Sequence, residues 1–278
     1  NPSLIVLPTI GTAEPRTNFI PLTVILSVVL GFDIKEAASI GIIGAADGPT
    51  SILVATKLIP DSDIYGAIMV VAYCYMALVP LIQPIVIKGC TTKKERLIKM
   101  EYNPKNVTKG AKIAFPVIIT IVAGLLAPES VSLVGFLMFG NLIRECGVLD
   151  SLTETASNTL TNLITILLGL TISFTMVADK FVTPQTLYIM VLGLFAFVFD
   201  TVFGIFFVKI INLFTKKKIN PMVGAAGISA FPMASRIVHQ MGVKEDKSNY
   251  LLMHAASANI AGQVASAIAG GIVLTLFL

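Results

Sequence analysis

Tryptophan is absent from this 278-residue chain, and only 13% of its residues are charged. Without Trp, any aromatic belt at a membrane surface must be built from Tyr and Phe. The low charge accompanies 55% hydrophobic residues and a mean hydropathy of +0.86. It excludes an ordinary soluble globule, because too few polar side chains remain to cover one. The composition therefore predicts a membrane protein.

Cysteine is scarce as well, and its placement excludes two classes of site. Cys74, Cys90 and Cys146 show no CxxC spacing and no neighbouring His pattern. They form neither a disulfide framework nor a metal centre. His239 and His254 lack a second ligand at metal spacing, so we expect no transition metal.

Long apolar runs are abundant and predict an all-α polytopic helical bundle, since about 20 apolar residues span the hydrocarbon core. The predicted spans are residues 65–87, 113–127, 131–143, 160–178, 185–208 and 255–278. The second and third are short, which is common where helices are broken around a transport site.

The chain divides into three predicted parts. Residues 1–39 are expected to be fragmentary, because the chain begins with Asn1 and shows no charged n-region followed by a cleavage site. Residues 40–127 form the first membrane half. Residues 128–278 form the second membrane part and end in the C-terminal helix.

The basic loop 88–112 carries eight Lys and Arg against two Glu. Such a concentration in a short loop predicts the cytoplasmic side of an inner-membrane, multi-pass protein. Counting spans from this loop places a second cluster, Lys209 with Lys216 to Lys218, on the same side. The alternative is a nucleic-acid patch; the flanking spans argue against it, so we expect no nucleic-acid partner.

Two segments are apolar enough to enter the membrane but too rich in Gly and Pro to stay helical. They are residues 41–49 and 220–233. Irregular backbone at that depth is tolerated only where it is buried in protein or lines a cavity. One such segment in each half indicates a binding site between repeats. The similarity of 43–49 to 223–229 suggests an inverted repeat, although Ala and Gly richness alone could produce it.

Asp47 is a carboxylate inside the apolar run 40–54. An ionisable group there is costly unless it meets an ion, a proton or a partner. The following Gly48-Pro49-Thr50 also fits a helix cap. The two interpretations are compatible, because a half-helix tip offers both capping geometry and ion ligands. Asp47, Thr50 and Ser51 supply the oxygen atoms that hard cations such as sodium prefer.

The second broken segment offers similar chemistry. Asn220 and Ser229 carry oxygen ligands, and Gly224 lets backbone carbonyls turn toward an ion. A loop turn is the alternative for Asn220. Arg236 could meet a carboxylate, or it could be a cytoplasmic flanking charge.

Three further side chains lie within predicted spans. Tyr73 and Tyr75 lie in the middle of a predicted span, where a buried phenol needs a hydrogen-bond partner, and a structural bond to a neighbouring helix is the default. Asp200 is a second intramembrane acid and a further candidate for a functional role.

Several motifs together resemble the beta subunit of the biotin-dependent, sodium-pumping decarboxylases. They are residues 46–50, 72–84, 219–221, 227–233 and 251–255, and the resemblance runs from about residue 40 to the C-terminus. It implies a membrane subunit that receives carboxybiotin from a biotin carrier protein, decarboxylates it with consumption of a proton, and exports sodium. The implied partners are that carrier, a soluble carboxyltransferase subunit, a small membrane subunit and further copies of the chain in a trimer.

The resemblance also implies residue roles. Asp47, Tyr73 and Arg236 are expected in catalysis, and Asp47, Asn220, Gly224 and Ser229 are expected among the sodium ligands. The residues themselves, and not the resemblance, add Thr50 as a further sodium ligand and Asp200 and Tyr75 as other candidates. The acyl substrate belongs to the soluble subunit. Residues 199–201 and 227–232 look closer to the acyl-CoA enzymes than to those acting on oxaloacetate. The rival hypotheses are a sodium-coupled secondary carboxylate transporter without chemistry and a structural membrane anchor.

Overall fold

The computed structural model describes residues 19–100, 108–175 and 182–278. Three predicted features fall partly outside these ranges: the first 18 residues of the N-terminal part, residues 101–107 of the basic loop, and the end of the span 160–178. Everything below concerns the described residues.

All regular elements in the described ranges are helical. They are α1 Phe19–Val29, α2 Ile34–Ile43, α3 Gly48–Leu58, α4 Tyr65–Cys90, α5 Lys93–Arg96, α6 Lys109–Leu126, a 3-10 turn Pro128–Ser130, α7 Val131–Cys146, α8 Asp150–Thr155, a π-helical stretch Ala156–Leu160, α9 Thr161–Thr175, α10 Pro184–Phe214, α11 Pro221–Ala225, α12 Met233–Glu245 and α13 Leu252–Phe277.

Five of these helical stretches are long and apolar enough to cross a membrane. They are Tyr65–Cys90, Lys109–Leu126, Asp150–Phe174, Pro184–Phe214 and Leu252–Phe277. The predicted all-α polytopic membrane fold is confirmed. Residues 144–158, expected to connect two spans, are mostly helical. The connection shrinks to 147–149, because Gly147 ends α7 with a positive φ of 68° and α8 begins at Asp150.

Three long helices, α4, α10 and α13, contribute to the two larger of three buried clusters in the described residues; the third is a small cluster of α6, α7 and α13. Each long helix contributes one stretch to a first cluster with α2 and α3, and another stretch to a second cluster with α11 and α12. The first cluster includes Ile68, Val71, Ile189, Leu192, Val273 and Leu274; the second includes Val79, Ile87, Phe197, Ile205, Ala255 and Ala258. The long helices therefore form a frame along which two smaller units are placed.

The first of these units is a helical hairpin, α2 and α3, called here the first hairpin (residues 34–58). Its chain breaks at residues 44–47, so the helix does not continue through the membrane. The Ser62 hydroxyl donates to Glu36 Oε1 at 2.6 Å, which ties the start of α2 to the chain just after α3. Both outer ends of the first hairpin therefore lie at the same end of the molecule.

The second unit is α11 and α12, called here the second hairpin (residues 221–245), with its break at residues 226–232. Both of its outer ends contact Arg96: Asn220 Nδ2 donates to the Arg96 carbonyl at 2.9 Å, and Arg96 Nε donates to Glu245 Oε1 at 2.6 Å. Because α4 runs from Tyr65, near Ser62, to Cys90, near Arg96, the two hairpins enter from opposite ends.

The charged residues mark these two ends. Lys209 Nζ on α10 lies 3.0 Å from Glu95 Oε1, so both basic clusters share one end, as the count of spans predicts. We call it the basic end. Lys57 pairs with Glu129 at the other end. The assignment of the basic end to the cytoplasm and the inverted repeat stay predictions.

Candidate functional site

The break of each hairpin forms its tip: residues 44–47 are the first tip and residues 226–232 the second tip. The two tips meet near the middle of the frame of long helices. The main-chain N–H of Ser229 donates to the Ala45 carbonyl at 3.2 Å, and its hydroxyl donates to Asp47 Oδ2 at 3.0 Å. Ser229 is only 4% exposed. Two irregular segments 182 residues apart are thus joined at the intramembrane carboxylate.

Asp47 is the N-cap residue of α3, as the motif predicts. Its Oδ1 accepts from the Thr50 N–H at 3.2 Å, and its Oδ2 accepts from the Thr50 hydroxyl at 2.7 Å. Pro49 occupies the first turn, where its missing N–H has no cost. A helix N-terminus favours a negative charge. No basic side chain of the described ranges forms an ion pair with Asp47, whose hydrogen-bond partners are Thr50 and Ser229.

The residue before Asp47 sets the turn. Ala46 is fully buried and has a φ of 52°, in the left-handed region that L-residues other than Gly rarely adopt. Such a conformation costs on the order of 1 kcal/mol. It turns the chain sharply enough for Ala45 to face the second hairpin while Asp47 caps α3.

Tyr73 lies beside the cap. A Cβ atom placed on Gly48 would come within 2.9 Å of Tyr73 Cζ, so the ring packs directly on the residue after Asp47. Only glycine allows this approach. The structure therefore brings the predicted pair Asp47 and Tyr73 together.

A cavity of about 40 Å³ adjoins the tips. Its walls come from both hairpins and from α1, α10 and α13, and include Gly44, Ala45, Ser229, Asp200 and Ser266. A volume of this size accommodates roughly one ion with one or two waters. Asp47 is not among the lining residues, but its partner Ser229 is. Asp200, the second predicted acid, does face the cavity and is 6% exposed.

The second tip is held by two amides that the sequence reading missed. Gln83 Nε2 on α4 donates to the Ala225 carbonyl at 2.8 Å, and Asn259 Nδ2 on α13 donates to the Ile228 carbonyl. Both residues are fully buried. The available signal was an uncharged polar side chain within an apolar span, since such groups in a membrane interior need partners.

Glycines bring the second hairpin close to the long helices. A Cβ atom on Gly224 would lie 2.1 Å from the Gly204 carbonyl oxygen, and one on Gly262 would lie 1.7 Å from the Gly227 carbonyl oxygen. Gly224, predicted near sodium, thus packs against α10 in this structure.

Three predicted residues form no hydrogen bond or ion pair with Asp47, whose partners in the described ranges are Thr50 and Ser229. Asn220 is at the basic end, where its amide contacts the chain at Arg96 and Ile98. Arg236 is exposed on α12 and forms no ion pair with the described residues. Tyr75 is buried, donates to the Met190 carbonyl and packs on Gly193 of α10, the structural bond expected of a buried phenol.

Comparison with known proteins shows the family of the chain. A family model described as the Na+-transporting oxaloacetate decarboxylase beta subunit matches residues 2–277. The chain is 50% identical over 246 residues to the oxaloacetate decarboxylase beta chain of Haemophilus ducreyi, an alignment that covers 88% of this chain and 56% of that protein.

Two relatives bear a different substrate name. The methylmalonyl-CoA decarboxylase subunit beta of Veillonella parvula is 50% identical over 250 residues, covering 90% of this chain and 66% of that protein. Its counterpart from Propionigenium modestum is 48% identical over 246 residues, covering 88% and 62%. The chain thus spans somewhat more than half the length of these relatives. It belongs to the family of the Na+-transporting oxaloacetate decarboxylase beta subunit.

Proposed function

We propose that this protein is the membrane subunit that decarboxylates carboxybiotin on a carrier protein and couples this reaction to sodium export with proton consumption. The observation that carries the proposal is the contact of Ser229 with Asp47. It joins two hairpins that enter from opposite ends at a carboxylate without a basic partner in the described ranges. A small movement of either hairpin would open the site of a bound cation toward one side of the membrane and close it toward the other.

The sodium ligands in this proposal are oxygen atoms that already converge. Thr50 Oγ1 and Ser229 Oγ both lie within hydrogen-bond distance of the same Asp47 oxygen. Hydroxyl oxygens can turn their lone pairs toward a cation, and a hard ion prefers carboxylate and hydroxyl oxygens. The cavity next to Ser229 gives room for the water that would complete the shell.

Proton consumption supplies the release step. Protonation of Asp47 would remove the charge that attracts sodium, so proton uptake and sodium loss become alternatives at one carboxylate. Moving one charge against 100 mV costs about 2.3 kcal/mol, which makes such strict exchange necessary. Tyr73, whose ring packs beside Asp47, is the proposed proton relay.

In this proposal carboxybiotin enters from the basic end, and its carboxyl group reaches Arg236 in the first turn of α12, next to the break at residues 226–232. Arg236 is exposed on α12 with no partner among the described residues, so its guanidinium is free to bind the biotin-borne carboxylate. The remaining partners are a biotin carrier, a soluble carboxyltransferase subunit, a small membrane subunit and two further copies in a trimer. Relatives named for oxaloacetate and for methylmalonyl-CoA are equally similar at 50% identity, so the acyl-CoA preference stays a prediction.

The test uses the full-length protein, assembled with its partner subunits in sealed liposomes. Asp47→Asn should lower sodium uptake and sodium-stimulated decarboxylation by about 100-fold, because the neutral amide loses the charge that holds the cation. Asp61→Asn, at an exposed carboxylate, is the matched control and should leave both unchanged. Retained sodium-stimulated turnover in Asp47→Asn would overturn the assignment. Sodium-dependent carboxylate uptake by liposomes with this subunit alone would favour the transporter alternative.

A further inference from the structure

The chain after α4 is docked on the second hairpin through one main-chain carbonyl. We call residues 91–100 the docking loop. The Arg96 carbonyl accepts two buried amides: Asn220 Nδ2 at 2.9 Å and Asn249 Nδ2 at 3.0 Å. Asn220 Nδ2 also donates to the Ile98 carbonyl at 2.9 Å. The two asparagines come from opposite ends of the second hairpin, one before α11 and one after α12.

The Arg96 side chain also binds the second hairpin to the docking loop; we call this contact region the junction. Its Nε donates to Glu245 Oε1 at 2.6 Å, and its Nη1 donates to the Thr91 carbonyl at 2.7 Å. This ion pair is mostly shielded from solvent, with exposed side-chain fractions of 14% and 19%. Arg96 therefore binds the end of α12 while holding its own turn in shape.

Two further ion pairs surround the junction. Lys99 Nζ lies 2.9 Å from Asp246 Oδ2, and its hydrogen bond holds the pKa of Asp246 well below the usual range. Burial raises the pKa of Glu95, but hydrogen bonds from Thr92 and Lys209 outweigh it and leave that pKa lowered. Both carboxylates stay ionised at neutral pH and keep the docking loop in place.

The amide of Asn220 is engaged on both its atoms. Nδ2 donates to two carbonyls, and Oδ1 accepts from the Met222 N–H at 3.1 Å as the cap of α11. The residue is fully buried. We propose that Asn220 and Asn249 are positioning residues that dock the loop onto the second hairpin, and that Asn220 affects sodium through this docking and not as a ligand.

This docking gives the site a mechanical connection to the basic end. The docking loop holds both outer ends of the hairpin whose tip donates to Asp47. A change in the loop would therefore move the hairpin that carries Ser229. Only the sodium measurement below rests on the proposed function; the docking itself does not.

The experiment compares Asn220→Asp with Asn249→Asp in the assembled full-length complex. Each change replaces two donor hydrogens by an acceptor that faces the Arg96 carbonyl, so docking should weaken in both. Hydrogen exchange of residues 91–100 should rise at least 10-fold, and the sodium concentration for half-maximal decarboxylation should rise about 10-fold. If Asn220 were a sodium ligand, Asn220→Asp would retain or strengthen sodium binding, and Asn249→Asp would leave it unchanged.

The pH dependence of the Asn220→Asp variant distinguishes a positioning role from a ligand role, because the two roles predict opposite changes as the pH falls. In Asn220→Asp, a protonated carboxyl can again donate to the Arg96 carbonyl, so docking should partly recover as the pH falls. A ligand carboxylate would instead bind sodium less well at low pH. Wild type serves as the reference, because it and the Asn220→Asp variant share the same other titratable and charged groups at the basic end. These groups are Lys88, Glu95, Arg96, Lys99, Lys209, Lys218, Glu245, Asp246 and His254.

Lys94→Gln is the control, since Lys94 is exposed in the same loop and makes no side-chain contact with the described residues. It should leave exchange and sodium dependence unchanged. Unaltered exchange of the docking loop in both Asp variants would overturn the inference. If the complex did not respond to sodium at all, the proposed function would fail, while the exchange measurement would still decide the docking.

Discussion

The tips of the two hairpins contact each other, but different kinds of hydrogen bond hold each tip in place. The first tip carries the charge and is largely self-sufficient: Asp47 is capped by donors from Thr50, three residues on. The second tip carries no charge and is fixed from outside. Its carbonyls are bound by Gln83 on α4 and Asn259 on α13.

The difference indicates which tip is easier to move. A local cap forms and stays with its own helix, since its partners lie within one turn. The second tip keeps its position only while two other helices and the docking loop hold it. We therefore expect changes in those helices to displace Ser229 while leaving the Asp47 cap intact.

The largest loss of activity and stability should come from adding a side chain where α13 packs against the second tip. In Gly262→Ala the new Cβ would lie 1.7 Å from the Gly227 carbonyl oxygen, and backbone cannot yield as a side chain can. Overpacking of this kind costs about 1–3 kcal/mol or more. Sodium-stimulated decarboxylation should be lost and thermal stability reduced. Gly169→Ala, where the added methyl meets no atom within 4 Å, is the control. Wild-type activity in Gly262→Ala would contradict the arrangement.

A smaller loss should follow when one of the outside amides is removed. Asn259→Leu keeps the volume but leaves the buried Ile228 carbonyl without its donor, at a cost of about 1–3 kcal/mol. Gln83→Leu should do the same at Ala225. Denaturation in detergent measures the loss, and Asn141→Leu, at an exposed position on α7, provides the comparison. If neither variant lost stability, the second tip would be as self-sufficient as the first.

Ser229→Ala removes only the hydroxyl contact between the tips. The half-saturating sodium concentration should rise about 10-fold, equivalent to about 1.4 kcal/mol, because the lost group is a hydroxyl bonded to a charge. Thermal stability should hardly change. Sodium titration of decarboxylation measures the shift. The matched control is Ser257→Ala near the start of α13, a half-buried serine whose hydroxyl donates only to the Met253 carbonyl of its own helix. An unchanged titration would remove Ser229 from the ligand set.

The smallest effect concerns the outer end of the first hairpin. Lys57→Gln breaks the ion pair with Glu129, whose side chains are 41% and 35% exposed. Exposed pairs contribute less than about 1 kcal/mol. Melting temperature should fall by at most a few degrees, and the sodium dependence should stay as in wild type. A large change in sodium affinity would mean that the first hairpin, too, is held from outside.

Much of this arrangement follows from local sequence. Gly and Pro predict both breaks, and Asp47 followed by Pro49 predicts a cap because capping involves residues within one turn. The contact of Asp47 with Ser229 spans 182 residues, and that of Asn220 with Arg96 spans 124. No local pattern encodes such distances. Asn220-Pro221 fits a loop turn and an ion ligand equally well by sequence, and its partners at Arg96 and Ile98 lie too far along the chain for a local pattern to reveal them.

Ala46 limits the number of backbone conformations that the first tip can adopt. Glycine at this position would adopt the same φ without strain, yet it would also give the chain access to many other turns. Alanine restricts the alternatives, so the first hairpin has few conformations between the one that presents Asp47 and a wholly different one. Under the proposed function, a carboxylate held in this way would have few intermediate positions, which suits a gate that must not leak ions while it is half open.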